Sequence, residues 1–475
     1  MTHASPPLLA LQQLRALFKD ALQHAGSDEL VELRYHKKTL RSVSAREGRV
    51  ERSLSRGREG VGVRVLAAGT WGFASTSEAS PSALRRAIEA ARANAIASAP
   101  YRKELALRPP PIALAVGDYA EADVDEEHEL DERVALVVGL EAAARRHSAR
   151  VRTASSVYNE LRSDKVIVTS DGADCSVRLW RPELKVSAVA EHEGQRVSQA
   201  ESIGATGGWA TLFRERAEVL AERAAATAVD QLEAAVPEGG RATVILSPAL
   251  VGLLVHEAVG HTVEADFVQS GSVAAGKLGQ RVADARVTLR DVGHSPHVAG
   301  AGGAEPVDDE GVLTQPATVI EDGILVGYLH NRESAARFGV APAGNARAWE
   351  YADPPIIRMR NTMIEPGDSD LDEMIASTAD GYLLEGARNG QADATGEFMF
   401  GAARARRIQG GKLGPLLRGT TVTGLAFDVL QTVDAISREF AWDLGSGHCG
   451  KGQPAKVDAG GPWLRCTLTI AGEQR

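Results

Sequence analysis

Apolar residues recur at helical spacing through Leu8, Leu11, Leu14, Leu17 and Leu22, which predicts a helix over residues 8–25. The period then changes. Stretches near 30–36 and 61–67 read as strands, with Val61, Val63 and Val65 alternating in the second, and Ala68-Gly-Thr-Trp-Gly72 reads as a hairpin turn. Ser80-Pro81 supplies a cap and a first-turn proline for a helix running to about residue 98, with Leu84, Ile88 and Ala91 as its inner stripe. A Pro-rich connection, Arg108-Pro-Pro-Pro111, and an acidic stretch from Glu121 to Glu132 precede a further helix carrying Leu130, Val134, Val137 and Val138 on one side. Strands return between 150 and 205, among them Val166-Ile-Val168 and Val186 to Val189, before an alanine-rich helix over about 212–234.

Ala235-Val-Pro-Glu-Gly-Gly240 combines proline with paired glycine after a long helix and reads as a linker. It divides the chain into an amino-terminal α/β domain over 1–235, with a mixed sheet and helices, and a carboxy-terminal domain over 241–475. Apart from a helix near 248–265 and shorter ones near 332–338 and 369–378, the second domain is rich in turns and short strands such as Val287-Thr-Leu289 and Thr467-Leu-Thr-Ile470. The expected fold class is therefore α+β, with a mostly β, barrel-like second domain.

Composition narrows the class of protein. The 475 residues are 44% hydrophobic and 24% charged, too apolar for disorder and too charged for a membrane bundle. A net charge of −10, from 63 acidic against 53 basic residues, disfavours nucleic acid and anionic membrane as partners. The first residues lack the basic region and apolar run of a secretory signal, so a cytoplasmic location is expected. Three cysteines are too few for a disulfide framework at this length. Cys175 alternates with Val177 and Leu179, and Cys466 with Leu464, Leu468 and Ile470, which places both thiols on buried strand faces. Cys449, in the glycine-bounded Gly447-His-Cys-Gly-Lys-Gly-Gln453, shows no period and is the thiol available for chemistry.

The chemistry-bearing segment is His256-Glu-Ala-Val-Gly-His261-Thr-Val-Glu-Ala-Asp266, on the helix that opens the second domain. Two imidazoles and an adjacent carboxylate suit a Zn²⁺ ion and a proton acceptor for the water it activates. The spacing is unusual, because residues five apart diverge by about 140° on a helix of 3.6 residues per turn, whereas residues four apart differ by about 40°. A one-residue π-type distortion would restore a shared face, and Gly260 is the expected place for the backbone to open. Glu264 and Asp266 offer supporting carboxylates, and the residues leave the third ligand open between Cys449 and Glu264. The plainer reading makes both histidines ordinary helix residues, one buried and one exposed. Gly271-Ser-Val-Ala-Ala-Gly-Lys277 has the spacing of a phosphate loop, but Leu278 stands where a hydroxyl is required and no clear strand precedes it, so no nucleotide site is expected.

The segment from His256 to His261 with Glu264-Ala-Asp266 resembles the H-E-x-x-x-H signature of the TldD/PmbA family, in its metal-binding TldD branch. Asp308-Asp-Glu-Gly311, Pro342-Ala-Gly-Asn-Ala-Arg347, Arg358-Met-Arg-Asn-Thr362, Cys449-Gly-Lys451 and Gly60-Val-Gly-Val-Arg64 are similar to further landmarks of that family, in the same order. The loop after Lys451 is one residue shorter than the family's, and His448, which precedes the cysteine, is an alternative or assisting ligand there. The resemblance implies a dimeric zinc metalloprotease that cleaves unfolded or extended peptides, paired with an identical subunit or a PmbA-like paralogue. It implies His256, His261 and Cys449 as zinc ligands and Glu257 as the catalytic base. The site is expected in a narrow crevice at the domain or dimer interface, where an extended chain pairs its backbone with a sheet edge. Tyr328, His330 and Arg347 are candidates to stabilise an oxyanion, set against ordinary structural roles, while Arg358 and Asn361 are expected to fix turns and His294 and His297 to be loop residues. Two other classes compete: a non-proteolytic zinc hydrolase of small amides, and a non-enzymatic peptide-binding subunit of a heteromeric protease.

Overall fold

The computed structural model describes residues 8–101, 112–120 and 126–472. The Pro-rich connection and the start of the acidic stretch therefore lie outside the described residues. The amino-terminal half is one sheet of seven strands: β1 (Leu30–Arg46), β2 (Arg49–Ala67), β3 (Thr70–Thr76), β4 (Val116–Ala120), β5 (Val151–Thr169), β6 (Asp174–His192) and β7 (Gln195–Gly204). They run in the order β3-β2-β1-β5-β6-β4, with β7 also paired to β6. β1 and β2 are far longer than the two short strands expected, and the reason is the face they bury. Val31, Leu33 and Tyr35 pack with Leu84, Ile88 and the first helix, Leu8–Leu22. The alternate residues Arg34, His36 and Lys38 are also buried, under the carboxy-terminal half, so their polarity hides a strand that is covered on both sides.

The helix after Ser80 spans Pro81–Ser98, with the Ser80 hydroxyl accepting from the Ala83 N–H and Leu84, Ile88 and Ala91 buried as expected. The next helix begins at Leu130 itself, which leaves that residue exposed in the first turn while Val137, Leu140 and Ala144 face the core. The alanine-rich helix is shorter than expected, Ala217–Asp230.

A second sheet begins with β8 (Gly240–Leu246). β8 pairs in parallel with Asp380–Ala392, which continues antiparallel through Glu397–Gln409 and Thr420–Leu425 to Asp458–Ala471. That last strand pairs back onto β8, Leu464 opposite Leu246 and Ile470 opposite Gly240, and so closes a five-stranded barrel. Leu289–Val292, Ala317–Glu321 and Asn361–Ile364 extend the sheet beyond the barrel, the first of them two residues later than the expected strand at 287. The short helices fall at Arg332–Phe338 and Leu371–Ala376, and a third, Ala426–Gln431, was not visible in the periodicity.

From β8 the chain enters Pro248–Leu253, a helix buried at every position and therefore apolar all round. It lies against the strand Asp458–Ala471 so closely that a Cβ on Gly252 would sit 2.7 Å from the Ala459 carbonyl carbon. The barrel wall thus fixes the helix whose continuation carries the histidines. Among the described residues no helix is long and apolar enough to cross a membrane.

Candidate metal centre

The α-helix ends at Leu253 and Leu254–Gly260 is a π-helix, followed by a short 3₁₀ turn at His261–Val263 and a second α-helix at Ala265–Gln269. The His261 N–H donates to the His256 carbonyl, five residues back. The extra residue in the turn brings the two imidazoles together, their centroids 5.4 Å apart and their planes 80° to one another. Gly260 serves differently from the expectation. Its backbone is ordinary right-handed helix, but a Cβ there would lie 2.0 Å from the Met359 sulfur, so close packing and not backbone opening requires glycine.

Cys449 arrives from the opposite side, on a hairpin and not the irregular loop expected. His448–Lys451 pairs with Gln453–Lys456, Cys449 opposite Ala455, around the left-handed Gly452. The buried Arg358 guanidinium donates to the carbonyls of Cys449 (2.7 Å) and Gln453 (2.6 Å), clamping both strands of this hairpin. Arg358 thus fixes a turn as expected, and that turn presents the thiol. One donor atom from each of His256, His261 and Cys449 lies within 4.8 Å of the other two.

The surroundings orient these groups. Glu264, fully buried, accepts at 3.1 Å from the His261 Nδ1 edge, which leaves Nε2 facing the Cys449 Sγ at 3.1 Å. Lys451, two residues after the thiol, binds Glu264 (3.1 Å), Asp266 (2.8 Å) and the Ile357 carbonyl (3.1 Å). In the sequence Lys451 stands out only as part of a motif; the acidic pair Glu264 and Asp266 on the helix is the signal that a cation must meet it. Burial would raise the Cys449 thiol, but the His256 and His261 rings lower it to about 4. Burial would lower His261, but its contacts with Cys449 and Glu264 raise it to about 10. Each group thus favours the charged form of the other, thiolate against imidazolium, and a metal ion bound there would take the place of the shared proton.

A zinc ion fits these residues. Two imidazoles and one thiolate are a donor set suited to zinc, and the buried His256 Nδ1 and Glu264 Oε1 have no protein partner among the described residues. Glu257, the carboxylate next to His256, is partly exposed, with Oε2 3.7 Å from His261 Nε2. It opens onto a cavity of about 320 Å³ bounded by His261, Phe267, Ser272, Gly390 to Ala394, Gly450 and Lys451. All of these belong to the carboxy-terminal half, so within this chain the cleft does not lie between the two halves.

The remaining candidates are occupied elsewhere. The Tyr328 hydroxyl donates to the Ala274 carbonyl at 2.8 Å, and His330, which burial lowers to about 4, meets the Ser334 hydroxyl. Arg347 donates to the Met359 carbonyl and pairs with Glu305. His448 lies against Trp349 and 3.7 Å from Glu183, outside the cluster. Asn361 binds backbone at Gly303 and Val292, His294 is exposed, and His297 pairs with Glu365. Residues 271–276 form turns without a helix to hold a phosphate.

Comparison with known proteins places the chain in a family. Models of the PmbA/TldA metallopeptidase match as domain 1 over 31–95, as central domain over 124–232 and as carboxy-terminal domain over 239–472. A metalloprotease of Methanothermobacter thermautotrophicus is 33% identical, covering 94% of this chain and 95% of its own. A zinc metalloprotease TldD homolog of Saccharolobus solfataricus is 34% identical over 50% of this chain and 53% of its own. The crystal structure of TldE from Thermococcus kodakarensis has the same fold, with a TM-score of 0.75, 18% identity, and coverage of 98% of this chain and 100% of that one. Matched by the family's models in all three of its domains and by a relative one-third identical along almost its whole length, the chain belongs to the PmbA/TldD metallopeptidase family.

Proposed function

We propose that the chain is a zinc-dependent endopeptidase of unfolded or extended peptides, with His256, His261 and Cys449 as the metal ligands and Glu257 as the general base. The observation that carries this reading is the convergence of those three side chains across a π-turn, with Glu257 beside them on the wall of an open cavity. The Saccharolobus relative, named a zinc metalloprotease, supports the choice of metal. Zinc held there supplies Lewis acidity, acidifying water and polarising a carbonyl oxygen.

The chain's own residues do the rest. Glu257 accepts the proton of the attacking water and returns it to the leaving amine, which its partly exposed position allows. Glu264 holds the tautomer and orientation of His261, and Lys451 in turn neutralises Glu264 and Asp266. Gly390 to Ala392, on the cavity wall, form the end of a barrel strand, along which an extended substrate pairs its backbone with little dependence on side chains. A second subunit, identical or a PmbA-like paralogue, is part of the proposal. Digestion of casein or an unstructured peptide, followed by mass spectrometry with and without chelator, tests it for the chain alone and with a candidate partner. Cleavage abolished by chelation and restored by zinc is expected; intact peptide in every case would defeat it.

A further inference from the structure

The buried polar face of the amino-terminal sheet encloses a second chamber. His36 on β1 lies opposite Lys165 on β5, and these residues, with Lys38 and with Arg181 of β6, line a chamber of about 20 Å³ against the carboxy-terminal half. Five cations line it, Lys38, Lys165, Arg181, Arg347 and Lys456, against two carboxylates, Glu305 and Asp309. Four of the five have carboxylate partners. Lys165 reaches Glu305 (2.7 Å) and Asp309 (3.0 Å), Arg181 and Arg347 reach Glu305 (2.6 and 3.5 Å), and Lys456 reaches Glu183 (2.5 Å).

Lys38 has none among the described residues. Its ammonium donates to the Trp349 carbonyl at 2.5 Å and sits 2.8 Å from the centroid of that indole. His36 is 2% exposed, and neither ring nitrogen has a protein partner. A neutral imidazole presents one donor and one acceptor, and burying a donor unpaired is costly. Burial, reinforced by Lys165, holds both His36 and Lys38 well below their ordinary values, as expected where positive charge is under-compensated.

Lys38, Leu161 and Trp349 also line an adjoining groove of about 150 Å³, which adds Leu40, Arg56 and Arg58. The chamber of about 20 Å³ holds one to two water-sized groups, room for the two oxygens of a planar carboxylate and too little for a tetrahedral phosphate or sulfate. A halide would fit the chamber but leave the apolar side of the groove unused. We propose that chamber and groove together bind a small organic carboxylate, its head against Lys38 and His36 and its stem along Leu40, Leu161 and Trp349. The carboxylate belongs to a free acid or to the end of a peptide chain. The site is separate from the metal cluster, yet Ala455, which lines the chamber, pairs with Cys449 across the hairpin.

Calorimetric titration of the full chain with butyrate, with butyramide as uncharged control and chloride as inorganic control, tests the proposal. Butyrate is expected to saturate at one per chain, with butyramide silent and chloride weaker. Lys38→Met is expected to weaken butyrate roughly tenfold or more, through loss of the charged donor to the carboxylate. Arg56→Glu, at an exposed position that leaves the fold intact, is expected to weaken it roughly threefold. Tetra-alanine displacing butyrate only when its carboxyl end is free identifies a chain end as the source; butyrate binding that tetra-alanine leaves untouched identifies a free acid. Absence of saturable butyrate binding, chloride as tight as butyrate, or affinity unchanged in both variants, as for butyrate held at the metal cluster, would overturn the proposal.

Discussion

Cys449 and Cys466 lie on neighbouring parts of the same domain, both buried and neither in a disulfide, yet they are opposite in character. Cys466 stands in the barrel wall among Leu464, Leu468 and Ile470, and burial, with a smaller push from the Asp434 carboxylate, raises its thiol. Cys175, in the amino-terminal sheet, is likewise pushed up to about 12. Cys449 stands on a hairpin that Arg358 clamps against two imidazoles, and its thiol is pulled down to about 4. The contrast teaches that burial does not assign a thiol its chemistry; the charges brought against it do. A barrel wall of alternating apolar residues supplies rigidity, and the reactive geometry is concentrated where the helix departs from regularity.

The strongest way to sharpen that contrast is to separate metal binding from proton transfer. Glu257→Gln preserves shape but cannot accept a proton, so peptide cleavage is expected to fall by a factor on the order of 10²–10⁴ while bound zinc remains. Unchanged turnover would remove Glu257 from the mechanism. Next, Cys449→Ala is expected to weaken zinc by more than about 100-fold, beyond what loss of a supporting group does, whereas Cys466→Ala retains zinc and loses only packing. Equal zinc content in the two variants, measured by atomic emission after dialysis, would erase the distinction between the thiols. Glu264→Gln, which weakens the restraint on His261, is expected to lower zinc affinity about 10- to 100-fold in competition with a chromogenic chelator.

The smallest effect concerns the turn itself. Gly260→Ala is expected to cost about 1–3 kcal/mol of stability through the clash with Met359, and Met359→Ala in the same chain to recover part of it. Additive losses in denaturant unfolding would mean that the close packing is not what requires the glycine.

The local chemistry was legible because it is local. A five-residue histidine spacing contradicts a regular helix, and the π-turn over Leu254–Gly260 resolves the contradiction. The role of Gly260 was not legible, since Met359 approaches from about a hundred residues away, nor was the hairpin around Gly452, whose order comes from Arg358. The sequence pattern shortens β1 because Arg34, His36 and Lys38 look like surface residues; their cover, Asp309, Glu305 and Trp349, lies far along the chain. Barrel closure is equally remote, a pairing of residues 240–246 with 464–470 that no window on the sequence contains.

The central claim is that two imidazoles and one thiolate from this chain hold a zinc ion. Zinc K-edge X-ray absorption of the purified protein tests it directly. The account predicts one zinc per chain with a mixed nitrogen and sulfur shell, one sulfur at about 2.3 Å and imidazole nitrogens at about 2.0–2.1 Å, the sulfur vanishing in Cys449→Ala. A shell of nitrogen and oxygen alone in the unmodified chain, or one unaltered by Cys449→Ala, would contradict it.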